Sequence, residues 1–225
     1  MNTNKFYDFF KPEMINERIH IIGCGAVGSL LADTLARTGL TKITLYDFDT
    51  VESHNIANQI YTEKDLGKTK VEALKEHMLS INPDMENDLF IQPNGYSSQS
   101  LAGYVFLCVD SIDLRRRIVE SNQYNMFIKA MFDFRMRLTD AQHFAADWSD
   151  PKAIKSMLNS MQFTSEEAKQ ETPVSACNLT LSVIPTVWMI VSSGAANFMN
   201  FAISKGAEYK KIIYIDAFKH SIEAY

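Results

Sequence analysis

The chain has 225 residues, 46% hydrophobic and 22% charged, with nine glycines, six prolines and three cysteines. This composition excludes disordered, collagen-like and disulfide-scaffold proteins and provides enough apolar surface for one sizeable core. Twenty-two Lys and Arg against 27 Asp and Glu give a net charge of −5, with no basic tail or stripe, so a nucleic-acid partner is not expected.

Residues 1–17 mix aromatics (Phe6, Tyr7, Phe9, Phe10) with Lys5 and Lys11 and read as an N-terminal arm or short helix. Arg18 to Ile22 is a short apolar run ending at Gly23, the pattern of a buried strand. Apolar residues at helical spacing from Val27 to Arg37 predict a helix, and Lys42 to Tyr46 a second strand. A strand–helix–strand unit predicts a parallel pair with a right-handed crossover. Lys68 to Ser80 reads as a helix stopping at Asn82-Pro83, Asp88 to Gln92 and Tyr104 to Cys108 as strands, and Asp113 to Gln123 as a helix carrying Arg115, Arg116 and Arg117. Phe127 to Met131 and Gln142 to Ala146 read as strands, and Trp148 to Thr172 as a polar, mobile stretch. From Asn178 to Ser204 no residue is charged. That length could span a bilayer, but scattered Asn, Ser and Thr, with Pro185 and Gly194, predict a long helix buried in a core or subunit interface, not in a membrane. Lys211 to Ile215 closes as a strand. Repeats and linkers are absent, so one domain over residues 1–225 is expected, as a Rossmann-like, doubly wound, mostly parallel α/β sheet with a long uncharged C-terminal helix.

Gly23-Cys24-Gly25-Ala26-Val27-Gly28 is G-x-G-x-x-G between a strand and a helix. The first glycine permits a tight turn, the second lets backbone approach a phosphate, and the third lets helix pack on strand. Asp47 ends the next strand, placed to accept from ribose hydroxyls. This much leaves NAD, FAD and ATP open. Asp47-Phe48-Asp49 then leads through Asn55 and Gln59 to Lys70 at the start of a helix, and Asp110 follows a later strand. A lysine offsets charge on phosphate oxygens and an aspartate can hold a hard Mg²⁺. Both belong to chemistry at a triphosphate, which favours ATP over a nicotinamide cofactor.

These residues resemble the ThiF/MoeB/HesA superfamily, the activating enzymes for ubiquitin and ubiquitin-like proteins. The similarity runs densely from Arg18 to Asp110, more weakly through Arg115, and resumes at Cys177 to Pro185. Asp133-Phe134-Arg135-Met136 looks like the small stand-alone bacterial and phage-borne members. The resemblance implies that Gly23, Gly25 and Gly28 form the nucleotide loop and that Asp47 binds ribose. It implies that Asn55 and Lys70 contact the triphosphate, with Gln59 and Asp49 beside the site, and that Asp110 places Mg²⁺. The implied reaction joins the C-terminal glycine carboxylate of a small ubiquitin-like protein to AMP, in a cytoplasmic homodimer, with a conjugating enzyme as onward partner.

Two departures stand out. Asn58 occupies the position of the family arginine, and the family's N-terminal R-Y-x-R-Q segment is not recognisable, which leaves a catalytically impaired scaffold subunit as an alternative. Arg115, Arg116, Arg135 or Arg137 could replace the lost charge. Cys177 matches the thiol position of a crossover loop, here 148–176, and could carry the acyl group as a thioester or be a small buried hydrophobe. Cys24 and Cys108 read as structural. The three cysteines lack zinc spacing, so no zinc is expected. No signal-peptide pattern opens the chain, in keeping with a cytoplasmic location.

Overall fold

The computed structural model describes every residue except Thr172 and residues 176–179. Its centre is an eight-stranded sheet in the order β3-β2-β1-β4-β5-β6-β7-β8. The strands are β1 (Ile19–Ile22), β2 (Ile43–Tyr46), β3 (Phe90–Gln92), β4 (Gly103–Leu107), β5 (Ile128–Met136), β6 (Asp140–Asp147), β7 (Ile212–Asp216) and β8 (Ser221–Ala224). The first five pair in parallel and the last three antiparallel. The order reverses at β1, the strand between β2 and β4, where ligands of open α/β sheets bind.

Helices α1 (Ala26–Arg37), α2 (Lys70–Ile81), α3 (Ile112–Asn122), α4 (Pro151–Asn159), α5 (Ser165–Glu171) and α6 (Ile184–Ser204) complete the order. Strand alternation divides the core in two. Ile21, Phe106 and Phe132 meet Leu31, Val191 and Phe198 on one face of the sheet. Ile22, Val105, Leu107 and Met131 meet Ile118, Ala153 and Met157 on the other.

Three elements differ from expectation. The stretch from Trp148 to Thr172, read as polar and mobile, holds α4 and α5, because Asp150 caps α4 by accepting from the Lys152 amide and Ala153, Ile154 and Met157 bury one helical face. Strand β8 is an addition to the expected elements; its polar–apolar alternation spans only Ser221 to Ala224, and all four residues are exposed. In the described part of the uncharged run α6 begins at Ile184, after an extended Val183 and with Pro185 in the first turn, where proline is tolerated.

Helix α6 is long and apolar enough by composition to cross a membrane, and half of its most apolar window is buried inside the fold. Gly194 explains the close approach: a Cβ there would lie 2.1 Å from the Phe134 ring. A glycine that reads as a weakness in a helix is the contact point of α6 with β5.

Two buried histidines couple stability to pH. His20 pairs through Nδ1 with the Tyr46 hydroxyl at 2.8 Å and through Nε2 with the Ala102 carbonyl at 3.0 Å, partners that satisfy a neutral ring. His143 lies between Phe132, Phe134 and Asn197. Burial lowers both to about 4, with Arg18 adding to the shift at His20 and Asp133 opposing it at His143. Folded values below the unfolded 6.5 mean that stability is fully present above pH 6.5 and is lost as pH falls toward 4. From pH 7 to 5 each histidine is expected to remove about 2 kcal/mol. Urea unfolding at the two pH values measures the loss, and His20→Gln is expected to reduce the pH dependence by about half.

Candidate functional site

The glycine loop joins β1 to α1 at the carboxyl edge of the sheet, and its geometry follows from two close approaches. Gly23 has φ +95°, and a Cβ on it would lie 2.7 Å from the backbone of Cys108 and Val109. A Cβ on Gly28 would lie 1.9 Å from the Gly23 carbonyl oxygen. Only hydrogen fits at either place, so α1 sits directly against the turn. Gly25 is the opposite case, with no atom within 4 Å of its Cβ position. It is the N-cap of α1 and offers no side-chain cap, so the first amides of the helix have no side-chain partner and the space beside Gly25 is open. That is the arrangement an anion fits.

The loop is braced from beneath. The Cys24 amide donates to Asp47 Oδ2 at 2.6 Å and the Asp49 amide to Asp47 Oδ1 at 2.9 Å. Burial pushes the Asp47 carboxyl up despite these donors and the nearby Lys70. The Tyr61 hydroxyl donates to the Cys24 carbonyl at 2.7 Å. Cys24 and Cys108 are free thiols; burial raises both, Cys108 to about 12, so neither is a ready nucleophile.

Residues 49–70 fold back on themselves. The Lys70 amide donates to the Asp49 carbonyl and the Val51 amide to the Lys68 carbonyl, both at 2.9 Å. Lys70 opens α2 behind the Thr69–Glu72 capping box. Its side chain is buried, and Nζ reaches Asp49 Oδ2 at 2.7 Å. Asn55 is buried, with Oδ1 accepting from the Glu52 amide at 2.9 Å. Asn58 Nδ2 donates to the Ser182 hydroxyl, joining this loop to the residues that precede α6. Gln59 Oε1 is buried with no hydrogen-bond partner among the described residues, an acceptor without a donor. Asp110 lies exposed just past β4, and among the described residues its carboxylate has no partner.

The structure therefore brings the glycine loop, Asp47, Asp49, Lys70 and Asp110 to one edge of the sheet, at the ends of β1, β2 and β4. Arg115 departs from expectation. It is buried, and its guanidinium pairs with Asp133, donates to the Leu107 carbonyl at 3.0 Å and bonds the Val109 carbonyl. Arg116 donates to the Met161 and Phe163 carbonyls, Arg135 pairs with Asp133 at 2.6 Å, and Arg137 pairs with Asp140 at 2.9 Å. All four candidates to replace the family arginine are engaged in protein contacts. Cys177 lies outside the described residues. As site residues, Asp133, Tyr61 and Ser182 escaped the reading of the sequence, although Asp133 and Ser182 lie in stretches that carry the family resemblance. Asp133 alone left a signal, a carboxylate inside the apolar run Met131 to Phe134.

The residues present fit a nucleotide: an open cradle over a helix N-terminus, one buried lysine beside it, and a free carboxylate suited to a hard divalent cation. The family model for ThiF matches residues 13–224. Ubiquitin-like modifier-activating enzyme 5 of Caenorhabditis briggsae is 31% identical over 122 residues, covering 47% of this chain and 28% of the relative. The tRNA threonylcarbamoyladenosine dehydratase of Escherichia coli is 37% identical over 99 residues, covering 42% of this chain and 37% of the relative. The chain thus matches only about a third of the length of these curated relatives. Among solved structures, E. coli MccB with ATP aligns with TM-score 0.70 at 17% identity over 95% of this chain and 65% of the other. PaaA aligns with TM-score 0.69 at 15% identity, over 99% and 68%. MccB has also been solved with MccA. At these identities the likeness is one of fold.

The two glycines are expected to separate folding from binding. Gly28→Ala forces Cβ into the Gly23 carbonyl and is expected to lower unfolding free energy by about 1–3 kcal/mol or more. Gly25→Ala meets open space and is expected to keep stability within about 0.5 kcal/mol, while calorimetry records weaker ATP binding.

Proposed function

The chain belongs to the ThiF family, and from that premise we propose that it is an ATP-dependent adenylyltransferase acting on the C-terminal glycine of a small ubiquitin-like protein. The observation that carries this reading is the open Gly25 cradle at the α1 N-terminus, with Lys70 and Asp110 on the same sheet edge. In the proposed reaction a carboxylate oxygen of the glycine attacks the α-phosphorus of ATP. The bond to the bridging oxygen breaks, pyrophosphate leaves, and an acyl-adenylate remains. The attacking carboxylate is ionised at neutral pH and needs no general base, so the protein contributes position and charge.

In this reading the α1 amides meet phosphate oxygens, Lys70 offsets their charge, Asp47 accepts from ribose, and Asp110 holds Mg²⁺, which supplies further charge compensation when bound. Asn55 and Gln59 line the far side. Occupancy by a triphosphate would draw Lys70 away from Asp49, its partner here. Asn58 and the engaged arginines leave the site short of cations, and we assign the missing charge to a second copy in a homodimer. The exposed stripe of α6, Pro185, Trp188, Ser192, Ala196 and Asn200, carries no charge, so covering it desolvates none. Onward transfer through a thioester on Cys177, with AMP as leaving group, to a conjugating enzyme in the cytoplasm completes the proposal. The relatives named ubiquitin-like modifier-activating enzyme 5 support the substrate class.

ATP–pyrophosphate exchange, driven by a ubiquitin-like protein ending in glycine, tests the activity; Lys70→Ala is expected to lower it about 100-fold. Exchange unaffected by Lys70→Ala would overturn the assignment. ATP binding without exchange would favour the scaffold reading that Asn58 motivates. Thermal shift gives the cheapest discrimination from a dinucleotide enzyme: ATP with Mg²⁺ at 100 times its Kd is expected to stabilise by about 2.7 kcal/mol, and stabilisation by NAD alone would overturn the proposal.

A further inference from the structure

Asp133 has no exposed surface, and it lies between two guanidiniums. Arg115 pairs with Oδ1 and Arg135 with Oδ2. Burial by itself would raise this carboxyl, yet Arg115 and Arg135 hold it below the ordinary aspartate range. The pair with Arg115 has a second consequence. In the β4–β5 register Leu107 is opposite Asp133, and the same guanidinium that meets Asp133 also takes the Leu107 and Val109 carbonyls. These carbonyls flank Cys108, and that of Val109 immediately precedes Asp110. Arg115 therefore grips the backbone from which the Asp110 side chain departs, and Asp133 neutralises Arg115 where no solvent can.

We propose that Asp133 is a positioning residue for the divalent-cation site: through Arg115 it fixes the turn that presents Asp110. The proposal rests on the assignment of Asp110 to Mg²⁺ made above. Arg135 serves the other side of the same carboxylate, donating to the Ser160 carbonyl at 2.7 Å and lying 4.3 Å over the Phe144 ring, so it ties Asp133 to the end of α4 and not to the Asp110 turn. The two arginines thus provide an internal comparison. An unpaired buried arginine is strongly unfavourable, and in Asp133→Asn its guanidinium must find other partners, releasing one or both carbonyls.

The experiment combines hydrogen exchange of the ligand-free protein with calorimetry of ATP at varied Mg²⁺. Asp133→Asn is expected to speed exchange in peptides covering residues 107–111. It is also expected to raise the Mg²⁺ concentration for half-maximal ATP binding about 10- to 100-fold, with ATP binding in EDTA unchanged. Arg135→Gln is expected to speed exchange at residues 158–163 and leave the Mg²⁺ requirement as in wild type. Should Asp133→Asn not fold, Arg115→Lys keeps the charge opposite Asp133 but cannot hold two carbonyls, and it must shift the Mg²⁺ requirement in the same direction. A folded variant of Asp133 or Arg115 with wild-type exchange and wild-type Mg²⁺ dependence overturns the proposal. So does an Arg135→Gln variant with a Mg²⁺ shift as large as that of Asp133→Asn. Wild-type protein that binds no ATP at any Mg²⁺ concentration overturns instead the nucleotide reading, and the exchange measurements still decide whether Asp133 holds the turn.

Discussion

The contact between residue 28 and the carbonyl of Gly23 governs the arrangement of everything that surrounds it. With hydrogen as the side chain, α1 can begin within touching distance of the strand it follows. Its first amides then emerge over the end of β1, the strand at which the sheet order reverses. Asp47 and Tyr61 reach that turn from two different elements, one taking the Cys24 amide and the other its carbonyl. The turn is thus held by backbone on one side and side chains on the other. What remains free is its outer surface, where Gly25 leaves room.

The distribution of charge follows the same division. Carboxylates gather at the outer lip, where Asp49, Glu52 and Asp110 are exposed. Guanidiniums are drawn inward: Arg115 and Arg116 donate largely to main-chain carbonyls, and Arg135 divides its donors between Asp133 and Ser160. Arginine suits that work because its planar fork offers several donors in fixed directions. The fold uses these arginines as struts between β4, β5 and the α4–α5 connection. A lip rich in carboxylates suits cations, and a polyanion entering it requires positive charge from Lys70, a divalent ion or another subunit.

Strands β1, β2 and β4 were legible because each is short, apolar and bounded by a glycine or a polar turn, whereas β5 was read only as far as Met131 because Asp133 and Arg135 interrupt the apolar run that continues to Met136. The glycine loop was legible for a related reason: its spacing is dictated by steric contacts only glycine can make. Arg115 was misplaced because spacing along a helix indicates which turn a residue occupies but not whether its side chain points to the lip or the core. Its burial depended on Asp133, one strand away in space and eighteen residues away in sequence. Helix α4 was missed although Asp150-Pro151 is a helix-start signal and Ala153, Ile154, Met157 and Leu158 fall at helical spacing, because nine residues between polar flanks were weighed as part of one polar stretch. Strand β8 is exposed along its length, and its polar–apolar alternation over Ser221 to Ala224 is too short to mark a strand by itself.

The seat of α6 has a consequence for how the molecule is made. Phe106 and Phe132 belong to strands completed by residue 136, yet the aromatic ring of Phe198 that packs edge-on against both belongs to a helix that starts at Ile184. During synthesis nearly fifty residues must be added before that helix begins to leave the ribosome. Throughout that interval one face of the central strands is without its cover, at elongation rates of about 5–20 residues per second a period of several seconds. A chain interrupted before α6 would contain the glycine loop, Asp47, Lys70 and Asp110 intact, and would nonetheless lack the surface that makes those strands soluble.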